Sequence, residues 1–259
     1  MIEIVVIAEA KPDQQIGCTL VDRVVTSKAP DWWDAETLEQ ARSWMGLEPS
    51  SPFTQWCRLK AVVNENEKIG RKLRYIGHSA RSQANETDGF DYAAGKKAIQ
   101  FCRLSSDREH ISHFLLVRDL DNQPERKDSL IRLKREMSEL GIFVTLALAD
   151  PDREAWIISG FCPSNKTESE NYALVKENLS FDPCAQPHRL AHGRSSQKSA
   201  KLVLDKLFLN SGDERMQRET ECFSDSSLDV LRENGRTVGL AEFLEDVETD
   251  LAAQILKQF

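Results

Sequence analysis

The sequence predicts an α/β fold: a parallel sheet flanked by helices, with an inserted helical segment and a helical C-terminal appendage. Three observations predict it. The runs IEIVVIAE (2–9), HFLLVRD (113–119) and GIFVTLALAD (141–150) are short, nearly continuous in apolar residues and rich in β-branched ones, the pattern of strands buried on both faces of a parallel sheet. Between the second and third runs lies ERKDSLIRLKREMSELG, with Leu130, Leu133, Met137 and Leu140 at helical spacing and Gly141 as a stop, which makes a strand, helix, strand unit. Each of the three runs also ends on an acid: Glu9, then Asp119 with Asp121, then Asp150.

Taken in order, the first strand leads into PDQQIGCTLVDRVV, where Asp13 is expected to cap a helix whose apolar face carries Ile16, Leu20, Val21 and Val24. From about 27 to 90 the pattern weakens, and this stretch, with four of the five tryptophans, is expected to be a partly helical insertion. DYAAGKKAIQFCRL (91–104) reads as a helix feeding the second strand. Past GFCPSNKTESENYA no strand is expected, and SSQKSAKLVLDKLFL and GLAEFLEDVETDLAAQILKQF read as amphipathic helices. The expected division is therefore an α/β domain over 1–162, interrupted at 27–90, and a helical segment over 163–259.

Composition narrows the function classes. The 259 residues are 40% hydrophobic and 29% charged, with no apolar run near the length that spans a bilayer, so no membrane partner is expected. The start MIEIVVIAEAKP lacks a basic leader and a small-residue cleavage site, giving the expectation of a cytoplasmic protein. Six scattered cysteines without a CxxC pair read as reduced, mostly buried thiols rather than zinc ligands. The net charge of −8 excludes an overall basic coat but not a local basic groove. Basic residues do cluster: Arg71, Lys72, Arg74 and Arg81 lie in one stretch, and Arg189, Arg194 and Lys198 lie in HRLAHGRSSQKSAK. Both clusters are candidates for phosphate-backbone contacts. His188 and His192 share an i, i+4 spacing but lack the acid of an HExxH site.

The acids carry the chemistry. In a parallel sheet the carboxyl ends of the strands share one edge, where open α/β folds place ligands. Were the second strand to stay extended through Asp121, its period of two would send Asp119 and Asp121 to one face about 7 Å apart. Grouped carboxylates raise each other's pKa unless a hard cation joins them, so Mg²⁺ or Mn²⁺ is the expected cofactor. Asp150, before Pro151, reads as a turn residue outside that group.

A strand ending in Glu9 and followed by a helix, then a strand ending in Asp119, Leu120, Asp121, resembles the Toprim fold of topoisomerases, primases and several nucleases. An acid in a Glu, Ala, Trp triplet, Glu154 within ADPDREAWIISGF, is similar to small Toprim-like proteins, some associated with defence against mobile DNA. The likeness covers roughly residues 1–28 and 91–162. It implies Glu9 as general base or acid or as a metal ligand, Asp119 and Asp121 as Mg²⁺ ligands, and Glu154 as an accessory ligand or helix-positioning residue. Where many members have Gly after the Glu, this chain has Ala10 and then Pro12, a departure that bears on the reach of Glu9.

The function expected is a metal-dependent phosphodiester hydrolase acting on DNA or RNA. The alternative is a non-catalytic Toprim-like subunit that binds nucleic acid or a partner, with the acidic helical end docking on a basic protein or a second copy. Phosphoryl transfer through an aspartyl phosphate fits less well: Asp-x-Asp lies on a later strand, and Gln123 stands where dehalogenase-like phosphatases carry Thr. Walker and GxGxxG patterns are absent.

Overall fold

Strand β1 (Ile2–Ala8) runs through the middle of an all-parallel sheet, flanked by strand β4 (His113–Asp119) on one side and by β2 (Arg42–Met45) and β3 (Thr54–Gln55) on the other, with β5 (Phe143–Ala149) outside β4. The computed structural model describes residues 1–68, 89–104, 108, 110–209 and 215–258. β2 pairs with the first half of β1 through Ile2 and Arg42, and β3 with the second half through Ile7 and Thr54. The alternation of β1 divides the core: Ile2, Ile4, Val6 and Ala8 face one hydrophobic cluster, Val5 and Ile7 the other.

Helices fill both faces. On the second face lie α3 (Leu59–Lys68), α4 (Phe90–Leu104) and α5 (Pro124–Ser138), contributing Leu59, Ile99, Leu130 and Leu133. On the first lies α1 (Lys11–Lys28), with Ile16, Leu20, Val21 and Val24 buried as their spacing predicts. The same cluster takes in Trp156 of α6 (Arg153–Ser159), Val175 of α7 (Lys166–Leu179), Leu204 of α8 (Ala200–Leu207) and Phe223 of α9 (Arg215–Asp225). It also includes Leu231 of α10 (Leu228–Asn234), Phe243 of α11 (Leu240–Asp246) and Ile255 of α12 (Ala253–Leu256), the last two joined by a π-helical turn over Val247–Ala252. The helices past 163 thus cover one face of the sheet and share its core.

Four expectations need correction. The segment 27–90 is not only helical: besides α2 (Ala35–Ala41) and α3 it supplies β2 and β3. These strands have four and two residues, and apart from the buried Thr54 their side chains are half-buried, so they lack the apolar run by which a central strand is read. Asp13 is not the cap of α1. Ala10 holds that place, and Asp13, three residues in, accepts the Ala10 backbone N–H at 2.8 Å. Leu140 lies beyond the end of α5 and is exposed, while Ser129 joins the buried face. The second strand ends at Asp119, as described below. None of the described helices is long and apolar enough to cross a membrane.

Candidate functional site

The chain leaves β1 toward β2 on one side and returns to β4 on the other, so the strand order reverses between β1 and β4. Outside the carboxyl ends of two such strands lies the crevice where open α/β sheets bind ligands. Glu9 follows β1 directly and Asp119 closes β4. Glu9 Oε1 accepts from Arg118 Nη1 at 2.7 Å and from the Asp119 backbone N–H at 3.3 Å, so the turn through Ala10 carries the carboxylate across to β4.

Asp119 and Asp121 do not share a face through the strand period. Asp121 and Asn122 adopt left-handed backbone, φ +52° and +58°, and the chain turns into α5. Ladder hydrogen bonding continues locally, with Leu120 N–H on Ala149 O and Asp121 N–H on Pro151 O, both at 2.8 Å. The turn aims the two carboxylates at different partners. Asp119 Oδ1 accepts the Arg153 backbone N–H at 2.9 Å. Asp121 accepts from Arg126 Nη1 at 2.9 Å and lies 3.3 Å from His192 Nδ1.

Around these stand Glu154, which was expected in the group, and Asp13 and Asp152, which were not. Asp13 lies 3.3 Å from Arg153 Nε, and Asp152, fully buried, has neither carboxylate oxygen in a hydrogen bond. His192 Nδ1 lies 3.5 Å from it. Glu154 Oε2 is likewise buried without a hydrogen bond, while its Oε1 lies 3.6 Å from Arg153. Burial raises the Asp119 carboxyl well above the usual range, helped by the charges of Asp13, Glu9, Glu154 and Asp152. Burial and then Glu154 push Asp152 up to about 7, against Lys201 and His192, which pull it down. Asp13 is raised chiefly by burial, with Arg153 opposing. Asp152 stood within the ADPDREAW stretch and Arg118 within VRDLD, but nothing in spacing alone marks a side chain that will be buried unpaired.

These residues fit a hard divalent cation by donor chemistry: several carboxylates at one sheet edge, each disfavouring the other's charge, with three orphaned oxygens. Among the described residues, though, no three His, Cys, Asp or Glu side chains form a ready-made ligand group. Glu9 and Asp121 are engaged by arginines instead.

The basic candidates divide. Arg71, Lys72, Arg74 and Arg81 lie outside the described residues. Arg189 stacks over Phe181 at 4.1 Å with Lys198 above the same ring at 6.0 Å, and Arg194 pairs with Asp205 at 3.3 Å. Arg194 and Lys198 lie within, and Arg189 just before, the loop tied by the Ala191 to Ser199 bridge that brings His192 to Asp121 and Asp152. His188 turns to Thr237 rather than joining His192. Compared with protein-family models, curated proteins and solved structures, the chain matches none of them.

Proposed function

We propose that this protein is a Mg²⁺- or Mn²⁺-dependent phosphodiester hydrolase of Toprim type that acts on nucleic acid. The observation that carries the reading is the meeting of Glu9 and Asp119 across the β1 and β4 switch point, with the charges of Asp13, Asp152 and Glu154 around Asp119. Asp119 and Asp121 would hold the cation, with Glu154 behind them. When bound, such an ion polarises a phosphoryl oxygen and acidifies water. Glu9, oriented by Arg118 and the Asp119 N–H, accepts the proton of the attacking water at its carboxylate. Arg126 fixes Asp121, and the Arg153 N–H fixes Asp119. Arg189, Arg194 and Lys198, near the His192 loop, offer positive charge to the polynucleotide backbone.

One observation favours a non-catalytic module instead: Arg118 and Arg126 already neutralise Glu9 and Asp121, so the acid edge is partly compensated without an ion. Calorimetric titration of Mg²⁺ and Mn²⁺ into wild type and the Asp119→Ala, Asp121→Ala double variant separates the two, with cleavage of supercoiled DNA and structured RNA assayed on the same samples. Binding and cleavage lost together in the variant support the hydrolase. Cleavage that survives the double substitution sinks the mechanism, and metal binding without turnover by wild type favours the module.

A further inference from the structure

Beside the acid edge a cavity of about 690 Å³ opens between the start of α5 and the start of α4. Arg118, Arg126, Arg132 and Arg135 line it. The acids on its wall are Asp91, buried at 5% exposure, and Glu125 and Asp128, which are exposed.

The burial of Asp91 explains how two of these arginines are held. Its carboxylate lies 3.1 Å from Arg118 Nη2 and 2.8 Å from Arg126 Nε, so one buried anion anchors two guanidinium groups. Each arginine then reaches an acid of the candidate site, Arg118 to Glu9 at 2.7 Å and Arg126 to Asp121 at 2.9 Å. The two arginines form the wall between cavity and acid edge, touching both. Arg118 is further set by the Trp56 ring, 5.3 Å from its guanidinium carbon, and its buried Nε has no hydrogen-bond partner. Arg132 lies over the Tyr92 ring at 4.3 Å.

Four guanidinium groups stand around one cavity against three carboxylates, Asp91, Glu125 and Asp128, so the lining carries more positive than negative charge, with Arg135 exposed at its edge. Planar guanidinium forks match phosphate oxygens in geometry as well as charge. We propose that this cavity is a phosphate subsite, which receives a phosphate of the polynucleotide next to the one lying at the acid edge, with Asp91 as the positioning residue that holds Arg118 and Arg126 in place. The proposal rests on the hydrolase reading for the identity of the polynucleotide, and its test needs no cleavage.

The test is fluorescence anisotropy of a labelled, 5′-phosphorylated oligonucleotide with the metal-free full chain in EDTA, for wild type, Arg135→Gln, Arg126→Lys and, as a control on an exposed face of α7, Lys166→Gln. Arg135 is exposed, so its substitution leaves folding intact even where Arg126→Lys disturbs it. Losing one charge-assisted contact should weaken binding about tenfold in Arg135→Gln and in Arg126→Lys, with Lys166→Gln unchanged. Inorganic phosphate should displace the probe from wild type. Equal affinity in wild type and Arg135→Gln, or no displacement by inorganic phosphate, overturns the subsite. A wild type that binds in this way but cleaves nothing when metal is added would instead overturn the hydrolase reading alone.

Discussion

The indole N–H of Trp156 donates to the carbonyl of Val238 at 2.6 Å, across a sequence separation of 82 residues. Trp156 is buried in α6, two residues after Glu154, and its ring stacks on Phe243 of α11 with centroids 5.5 Å apart. The acid edge is therefore held in part by the last helices of the chain. Trp156→Phe keeps most of the stacking area and loses the donor, while Val238 O retains the Asp150 N–H at 3.1 Å. The expected cost is about 1 kcal/mol, and about 3–5 kcal/mol for Trp156→Ala, which also empties the site. Urea unfolding should show the midpoint falling in that order with the slope unchanged.

Gly239, the next residue after Val238, has φ +84°, and a Cβ there would stand 2.2 Å from the carbonyl oxygen of Leu148 in β5. Both the backbone conformation and the close approach exclude a side chain. Gly239→Ala is expected to cost more than about 4 kcal/mol, with loss of soluble folded protein. Gly141 makes the comparison: its φ is +72° but nothing lies within 4 Å of the added carbon. Gly141→Ala should therefore cost only the backbone strain, about 1–3 kcal/mol, and a melting curve that ranks the two variants the other way round would refute this account.

What the sequence made legible follows from what each signal measures. Central strands buried on both faces are apolar runs, and β1, β4 and β5 were readable as such. β2 is an edge strand, RSWM, held by pairing to β1 and by the forked Arg42 contact with Asp22 of α1 at 2.8 and 2.7 Å, and neither leaves a periodic trace. The acids that end strands were visible from their position. Asp13, Asp91 and Asp152 were not, because they belong to helix starts, where acids are common for local reasons. The left-handed turn at Asp121 and Asn122 was hidden for the same kind of reason: the Asp-x-Asp spacing fits an extended strand and a turn equally well.

His113, at the start of β4, stacks on Phe143 at 4.9 Å, and its buried Nε2 has no hydrogen-bond partner. Burial lowers its pKa below the ordinary 6.5. The unfolded chain then binds the proton more readily than the folded one. This contribution to stability is complete above about pH 6.5 and is lost as pH falls through the folded value. Chemical unfolding at pH 7.5 and pH 5 should show wild type losing more stability on acidification than His113→Phe. Parallel losses in the two proteins would show that His113 stays paired or solvated on protonation.

Asp119 shifts in the opposite sense. Burial, then Asp13, Glu9, Glu154 and Asp152, raise its pKa well above 3.8, so its ionised form is disfavoured in the folded protein at neutral pH. A raised carboxyl pKa means that stability is fullest below about pH 3.8 and is lost as pH rises through the folded value. Asp119→Asn keeps an oxygen to accept the Arg153 N–H, seen at 2.9 Å, and removes the charge. In EDTA at pH 7.5 the variant should melt several degrees above wild type, and the difference should shrink toward pH 4. Added Mg²⁺ should raise the wild-type melting temperature and leave the variant unmoved, because an ion that binds only the folded state stabilises it in proportion to its occupancy. The same carboxylate would then weaken the metal-free protein and create the site, as expected of a functional group held against its own preference. A variant less stable than wild type in EDTA, with both proteins indifferent to Mg²⁺, would make Asp119 a structural cap of α6 and remove it from the proposed chemistry.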